Sequence, residues 1–246
     1  MLAKGKWQGT LYSLVVVIVL WTAVSWILRL PIVPSPSAVI INIADIFQSK
    51  MQIHVLYSLV RIIEGIAIAV VIGVPLGFLM GYFEKINQIL SPLVYFTYPI
   101  PKIALLPIVM LLFGLGEASK IIMIVLIIVF QIIVTSRDAV TGIPKEIFRS
   151  LQSLGASKLQ VFTEIIIPAS LSDVLTSIRL ALGTAVSILF FTETFGTEYG
   201  MGYFIMDSWM RVNYLDMYAG IVVLSFMGFV LFTVIDIIEK NTSSWR

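Results

Sequence analysis

Cysteine is absent from this chain of 246 residues, and histidine occurs once, at His54. The lack of cysteine excludes disulfide bonds, thiol catalysis and thiolate-bound metals. A single histidine without cysteine partners leaves no cluster from which a metal site could be built. Because His54 lies near the end of a predicted loop, we expect it to be a wetted interfacial residue, and we predict no metal site.

The short motifs that carry common enzymatic chemistry are also missing. The sequence contains no GxxxxGK[ST] phosphate-binding loop, no GxSxG nucleophile turn and no HExxH zinc motif. We therefore predict no catalytic residue and no bound cofactor, and we expect that the chain is not an enzyme.

Charged residues are scarce, at 12% of the chain, whereas 59% of the residues are apolar. The mean hydropathy of +1.02 is far above that of a soluble domain. The net charge is only +2 and the basic residues are dispersed, which argues against a nucleic-acid partner. The composition predicts an all-α integral membrane protein in a lipid bilayer, and we expect a single domain over 1–246.

Runs of about 20 apolar residues are long enough to cross the ~30 Å of hydrocarbon in a bilayer. Six such runs occur, so the sequence predicts six transmembrane helices. They cover approximately 11–30, 57–82, 89–113, 118–137, 169–192 and 215–238. Between the first two, Ser35 and Pro36 suit an N-cap and a first helical position. We expect a short amphipathic helix there, lying along the outer membrane interface.

Lysine and arginine in short loops set the orientation of a membrane protein. With the N-terminus inside, the cytoplasmic flanks hold more of these residues than the outer flanks do. The inner set is Lys4, Lys6, Lys85, Arg137, Lys145, Arg149, Lys158, Lys240 and Arg246, and the outer set is Arg29, Lys50, Lys120 and Arg211. This bias predicts cytoplasmic N- and C-termini and places the polar 138–168 segment in the cytoplasm.

Three glycines in the second predicted span, Gly73, Gly77 and Gly81, are four residues apart and share one helix face. Small residues on one face let two helix backbones approach closely in a membrane. We expect this face to pack within the chain, and a pore-facing or dimer-facing groove is the alternative.

The third predicted span is interrupted by prolines, namely Pro92, Pro99, Pro101 and Pro107. Interior prolines kink a helix and leave carbonyl groups that protein or a water-filled cavity must satisfy. We therefore predict a kinked span that is a candidate translocation pathway and includes Tyr98, Pro99 and Pro101. Lys102 lies among the prolines at apparent mid-membrane depth, where a lysine costs about 2.5–3.5 kcal/mol and marks a candidate functional site. A lysine that snorkels to an interface is the alternative.

Other charges lie within or beside the predicted spans. Arg61 and Glu64 are three residues apart on one helix face, which predicts an ion pair between them. Arg179 lies deep in the fifth span and must find a carboxylate, backbone carbonyls or a water-filled cavity. Glu193 ends that span before a glycine-rich turn and a short outer helix. We predict that Arg179 and Glu193 belong to the pathway with Lys102.

A polar segment at 138–168 separates the fourth and fifth spans. Pro144 suits a helix start, residues 145–153 can form one short helix, and Gly155 can adopt the φ angle that ends it. Ser157 can then cap a second helix. We expect four apolar residues to form a knob inside a ring of charge: Leu151, Leu154, Leu159 and Phe162. Such a helix–glycine–helix hook fits a cleft on a partner.

The run SLGASKLQVFTEIIIPASL, with its fixed distance from Gly155 to Pro168, resembles the cytoplasmic EAA loop, or coupling helix, of ATP-binding-cassette importer permeases. Arg149, Ser150 and Leu151 stand where that family usually has Glu-Ala-Ala. The resemblance implies that the hook contacts an ATPase. The contacting residues would be Arg149, Ser150, Leu151, Leu154, Gly155, Ala156, Ser157, Leu159, Phe162 and Pro168.

The PSPS run at 34–37, the IPKIALLP run at 100–107 and the 193–202 turn extend the resemblance over most of the chain. They are similar to permeases for nitrate, taurine and aliphatic sulfonates, bicarbonate and related small solutes. The resemblance implies the MetI-like fold of type I importers in the cell membrane. It also implies a homodimer, two cytoplasmic ATPase subunits that bind ATP with Mg²⁺, and an extracytoplasmic solute-binding protein.

The solute is the property that the sequence determines least. Lys102 and Arg179 favour anions, whereas Tyr95, Phe96 and Tyr98 would suit a ring such as that of a pyrimidine vitamin precursor. A secondary transporter driven by an ion gradient is the alternative from another class, but it would usually show internal repeats and an intramembrane acidic relay. A non-transporting scaffold would leave the prolines and the lysine of the third span unexplained.

Overall fold

The structure is a computed structural model that describes residues 2–242, and only the backbone of residues 2–8, 10 and 11. Arg246 lies outside this part of the chain, as do the side chains of Lys4 and Lys6. Every regular element within residues 2–242 is helical, as predicted. The α-helices are α1 (Leu2–Leu28), α2 (Pro36–Ile46), α3 (Gln52–Tyr82), α4 (Glu84–Thr97), α5 (Leu106–Phe113), α6 (Glu117–Thr141), α7 (Lys145–Ser153), α8 (Lys158–Val161), α9 (Ile167–Thr192), α10 (Met201–Met210) and α11 (Tyr214–Thr242).

Four helical stretches are long and apolar enough to cross a membrane: Pro36–Tyr82, Glu117–Thr141, Lys158–Thr192 and Tyr214–Thr242. They contain the predicted spans at 57–82, 118–137, 169–192 and 215–238. The predicted span at 11–30 lies on α1, which ends at Leu28. Among the residues whose side chains are described, the apolar part of α1 is Tyr12–Leu28, which is at the lower end of the range of about 17–25 residues for a span, and the count of six spans stays a prediction.

The third predicted span, 89–113, is two helices rather than one kinked helix. α4 and the stretch Lys102–Phe113 meet at an angle of 81°, and that stretch begins with a 3₁₀ turn before α5. Pro99 and Pro101 cannot donate the backbone hydrogen bonds that would continue α4. The span is therefore broken at the prolines, which is a sharper change of direction than the predicted kink.

The contact between α3 and α6 depends on glycine. A Cβ atom built on Gly65, Gly73, Gly77 or Gly81 would lie 2.5–2.9 Å from a side-chain carbon of α6, closer than real Cβ contacts allow. The absence of side chains on this face lets the two helices approach closely. The glycine face thus packs within the chain, as expected.

α2 begins as predicted, because the Ser35 hydroxyl accepts a hydrogen bond from a backbone N–H in the first turn. It is not a separate helix, however. A π-helical turn, Phe47–Met51, joins it to α3. Val39 is fully buried in one apolar cluster with Phe204 of α10 and Ala219 of α11. Val39 and Ile46 of the apolar stripe are therefore covered by protein, whereas Ile40 is exposed, and the position of α2 along the membrane interface stays a prediction.

A further apolar cluster lies where the 138–168 segment meets the bundle. It combines residues of α3, α6, α8 and α9 with the turn that follows α8: Phe78, Val140, Val161, Ile166 and Val174. Phe148 and Leu151 of α7 pack against this cluster. The 138–168 segment is thus attached to three of the long helices.

Candidate functional site

The 138–168 segment folds as a short hook at one end of the bundle. α7 is followed by Gly155, whose φ is +82°, a left-handed conformation that costs a residue with a Cβ atom roughly 1–2 kcal/mol. Ser157 then caps α8 in a capping box. Its Oγ accepts from the N–H of Gln160, and its own N–H donates to Gln160 Oε1 at 2.8 Å. The predicted order of helix, glycine turn and capped helix is present.

The second arm of the hook is not a separate helix. After one turn, α8 continues through a π-helical turn, Phe162–Ile166, into α9. Pro168 lies in the first turn of α9, where its missing N–H is best tolerated. The hook is therefore the α7 arm folded back along a continuous extension of the fifth predicted span.

The predicted four-residue apolar knob is divided in two. Leu154 and Leu159 are 83% and 74% exposed at the tip of the hook. Leu151 and Phe162 pack instead into the apolar cluster beneath it, where the Phe162 ring meets Tyr82 of α3 edge-on at 5.3 Å. Leu151 and Phe162 thus anchor the hook, and only Leu154 and Leu159 are available to a partner.

Polar side chains surround the exposed tip. The exposed ones include Lys145, Arg149, Ser150, Ser157, Lys158 and Glu164. The ammonium of Lys158 lies 5.6 Å from the centre of the Phe83 ring, and Ala156 is half-buried. An apolar centre inside a polar rim is the usual anatomy of a protein–protein contact.

Lys102 makes hydrogen bonds across the break in the third span. Its ammonium donates to the carbonyl oxygens of Thr97 at 3.0 Å and Tyr98 at 3.3 Å, which are acceptors at the end of α4. It also lies 4.9 Å from the centre of the Phe130 ring of α6, within the range of a cation–π contact. The other predicted pathway residues of the bend are exposed on the chain: Tyr98, Pro99 and Pro101.

Arg179 of α9 is paired with two carboxylates of α11. Its Nη1 lies 2.7 Å from Asp236 Oδ1, and its Nη2 lies 3.0 Å from Glu239 Oε2. The arginine thus finds the carboxylate that its position requires, and the pair of bonds joins α9 to α11. A pathway role for Arg179 stays a prediction.

A buried polar cluster, which the sequence did not predict, lies at the end of the bundle opposite the hook. Arg61 of α3 is 1% exposed and donates to Glu193 Oε1 at 2.6 Å and to the two oxygens of Glu117 at 2.5 and 2.6 Å. Glu193 is fully buried and accepts from the Ser58 hydroxyl and from the N–H of Gly202, both at 2.8 Å. The polar cluster connects α3, the start of α6 and the turn between α9 and α10.

This cluster corrects one prediction. Arg61 pairs with Glu117 and Glu193, so the predicted pair with Glu64 is wrong. His54 is half-buried. Its Nδ1 accepts a hydrogen bond from the N–H of Gly200 at 3.1 Å, its ring lies among aromatic rings of the turn and α10, and its place at the membrane interface stays a prediction. Glu193, a predicted pathway residue, is enclosed within the chain, and its pathway role stays a prediction.

No sequence spacing indicated these partners. Arg61 is separated from Glu117 by 56 positions and from Glu193 by 132 positions. Lys120, also buried, donates to the carbonyl oxygens of Leu115 and Gly116 at 2.7 and 3.1 Å. The sequence offered only a general rule, that a charge inside a predicted span requires an opposite charge or a polar partner. This rule predicts that Arg61 has a partner but does not identify the partner.

The sequence matches a known protein family over more than half of its length. Residues 73–244 match the family described as binding-protein-dependent transport system inner membrane component. The taurine transport system permease protein TauC of Escherichia coli (strain K12) is 30% identical over 245 residues, covering 97% of this chain and 88% of TauC. The formylaminopyrimidine transport permease protein ThiX of Halalkalibacterium halodurans is 29% identical over 240 residues, covering 97% of this chain and 96% of ThiX.

A solved structure supports the fold separately. A chain of the methionine ABC transporter MetNI in an inward-facing conformation superposes with a TM-score of 0.69 at 20% identity, covering 77% of this chain and 94% of that chain. The two relatives are permease proteins of transport systems and not enzymes. The chain therefore belongs to the inner-membrane components of binding-protein-dependent transport systems, as a permease of an ATP-binding-cassette importer with the type I fold.

Proposed function

We propose that this permease passes a small anion, of the sulfonate or oxyanion kind, from an extracytoplasmic binding protein into the cytoplasm. ATP binding and hydrolysis take place in a separate ATPase, which the permease engages through the hook. The observation that carries the proposal is the exposed apolar tip of the hook, Leu154 and Leu159, inside its polar rim.

The hook has the properties of a docking element. Burying one leucine side chain is worth about 1.5–3 kcal/mol, so Leu154 and Leu159 seated in a cleft contribute several kcal/mol to docking. The turn between them is fixed by the positive φ of Gly155 and by the Ser157 cap. A preformed turn loses little conformational freedom when it docks.

The hook is also suited to transmit movement. Its second arm continues into α9 without a break in the helix, and Leu151 and Phe162 anchor it to α3 and α6. A displacement of the tip by the ATPase is therefore passed to the long helices. Arg149 is exposed on α7 where the family usually has a glutamate, so we expect this arm to meet acidic groups of the ATPase.

The proposed assembly is a homodimer with two ATPases. One chain offers one hook, whereas a symmetric pair of ATPases needs two hooks, and two-fold symmetry is the commonest arrangement of homo-oligomers. The exposed residues of the bend, Tyr98, Pro99 and Pro101, then lie along the axis between the two chains. The hook faces the cytoplasm, and the polar cluster lies on the outer side with the binding protein.

The solute is argued from charge and from the relatives. Lys102 in the broken third span provides a positive charge at the bend, and TauC is by name a taurine permease protein, which favours a sulfonate. A pyrimidine-type solute is the second candidate, because ThiX is by name a formylaminopyrimidine permease protein of nearly equal identity. An ion-gradient-driven transporter is not supported by the family to which the chain belongs.

Co-purification with the cognate ATPase tests the hook. Leu154→Asp combined with Leu159→Asp should reduce the retained ATPase at least tenfold, because two charged side chains replace the apolar contact. Leu154→Met is the conservative variant. Lys85→Asp exchanges a positive for a negative charge at the same end of the bundle, outside the hook. Both controls should retain the ATPase. Unchanged retention and solute uptake by the double variant would contradict the proposal.

The solute is tested by identifying, by mass spectrometry, the ligand that co-purifies with the cognate binding protein. Uptake of radiolabelled taurine and of a formylaminopyrimidine is then measured in proteoliposomes that contain the whole complex. ATP-dependent uptake of the sulfonate alone supports the anion proposal. Uptake of the pyrimidine alone replaces it with the second candidate.

A further inference from the structure

A cavity of about 420 Å³ lies between α4 and α6, beside the bend of the third span. We propose that it is a binding site for an amphipathic organic anion. A flat body rests against Tyr95 and Tyr98, and a sulfonate, carboxylate or phosphate group faces Arg137. The proposal rests on the function proposed above and defines the class of solute that the permease passes.

α4 supplies the aromatic wall of the cavity. Ser91, Val94, Tyr95 and Tyr98 line it and recur at the three- and four-residue intervals of one helix face. The Tyr95 side chain is 83% exposed on this chain. Exposed tyrosine rings provide large, stiff contact surfaces that stack on planar groups. This wall is suited to a ring.

α6 supplies the opposite wall and a positive charge. Val134 and Arg137 line the cavity, and Phe130 is one turn before Val134 on the same face. Across the cavity, from Ser91 to Tyr98, α4 rises about 10 Å, which is enough for one ring with an anionic substituent. Lys102 does not line the cavity, but its ammonium lies 5.7 Å from the centre of the Tyr98 ring and adds a second positive charge near the end formed by that residue.

The Nη1 group of Arg137 contacts Ser91 beside the cavity and makes no short hydrogen bond within residues 2–242. The Nε and Nη2 groups of the same residue donate to Asp138 at 2.9 and 2.7 Å, whereas Nη1 makes a long contact of 3.4 Å to Ser91 Oγ. Asp138 lines a second cavity with Thr135 and Ser177 and does not line this one. The guanidinium, and not the carboxylate, is therefore the charge that a ligand here would meet.

The size of the cavity favours an anion that carries a ring. Its volume is within the range of roughly 300–1,000 Å³ that is usual for small-molecule sites. A short aliphatic anion would leave the two tyrosine rings uncovered. A neutral ring would cover them but would leave Nη1 of Arg137 with only its long contact to Ser91 among the described residues. Only a solute with both features uses both walls.

The test measures binding of benzenesulfonate to the complete permease–ATPase complex in lipid nanodiscs by saturation-transfer NMR. Tyr95→Ala and Arg137→Gln should each weaken binding about tenfold, the size expected for one aromatic contact or one charge-assisted hydrogen bond. Tyr95→Phe keeps the ring and should bind as the unchanged protein does. Phe96→Ala removes the neighbouring exposed ring, which does not line the cavity, and should have no effect.

Tight binding by Tyr95→Ala, or an equal loss in Phe96→Ala, would overturn the site. Benzyl alcohol binding as tightly as benzenesulfonate would overturn the anionic class, and taurine competing as well as benzenesulfonate would overturn the role of the ring. Thermal midpoints confirm that each variant is folded. A complex that retains its ATPase but does not bind benzenesulfonate disproves this inference alone, whereas a chain that retains no ATPase disproves the function proposed above.

Discussion

Gly77 of α3 lies directly against Ser136 of α6. A Cβ atom built on Gly77 would be 2.5 Å from Ser136 Cβ and 2.6 Å from the carbonyl oxygen of Ile133. The second of these contacts is to backbone, which cannot rotate away. The closeness of α3 and α6 is therefore fixed at this point by the lack of a side chain.

Gly77→Ala should destabilise the protein by about 1–3 kcal/mol, the usual cost of overpacking a close contact. Thermal unfolding in detergent measures the change. Gly228→Ala is the matched control, because a Cβ atom at Gly228 would meet its nearest neighbour, Val186, at 3.9 Å. A midpoint for Gly77→Ala equal to that of the control would show that α3 and α6 tolerate separation.

Gly155→Val should uncouple ATP hydrolysis from transport. The β-branched side chain is strained at φ +82°, so the hook changes shape while the long helices keep their packing. Gly155→Asn is the matched variant, because asparagine tolerates the left-handed region. Solute-stimulated ATPase activity and uptake are compared in proteoliposomes. Wild-type coupling in Gly155→Val would remove the hook from the mechanism.

Arg61→Met should destabilise the protein by about 3–5 kcal/mol, because it leaves the buried Glu193 carboxylate without its counter-charge. Glu193→Gln should cost less, since the amide oxygen can still accept from Ser58 and Gly202. Arg179→Gln is the control. Its ion pairs are half-exposed, so its loss should cost less than the loss of the enclosed Arg61. A ranking in which Arg179→Gln is the most damaging would contradict the assignment of the polar cluster.

Lys102 should be reached by water-soluble amine reagents in one conformational state and protected in another, if it lines the pathway. Peptide mapping by mass spectrometry, with and without trapped ATP, measures the labelling. Lys85 is exposed outside the bend and should be labelled equally in both states. Lys102→Gln should lower anion uptake. Equal labelling of Lys102 in both states, together with unchanged uptake by the variant, would exclude a pathway role.

Ile100→Cys should cross-link two copies of the permease, because residue 100 is next to Pro99 at the bend that we place on the dimer axis. The native chain contains no cysteine, so only the introduced residue can form the cross-link. Val71→Cys, on an exposed face of α3, should not cross-link. A functional complex whose mass holds one copy of this chain would replace the homodimer with a heterodimer.

Several properties could be predicted from the sequence because their causes are local. Apolar runs of sufficient length located four of the membrane helices, since crossing a bilayer depends on consecutive residues. The glycines at four-residue spacing marked a close-packing face, which follows from the helical repeat. Gly155 and Ser157 marked the turn of the hook, because the φ angle and the N-cap are properties of a few adjacent residues.

Other properties were decided only by the tertiary structure. The sequence could not assign Arg61 to Glu117 and Glu193, because ion pairs inside a bundle depend on which helices are neighbours. For the same reason the apolar residues of the hook could not be divided into anchors and exposed tip before Phe162 was seen against Tyr82. The prolines indicated an interruption of the third span, but the angle of 81° is set by the packing of α4 against α3 and of α5 against α6. Local chemistry fixes the elements, and contacts between residues far apart in the chain fix their partners.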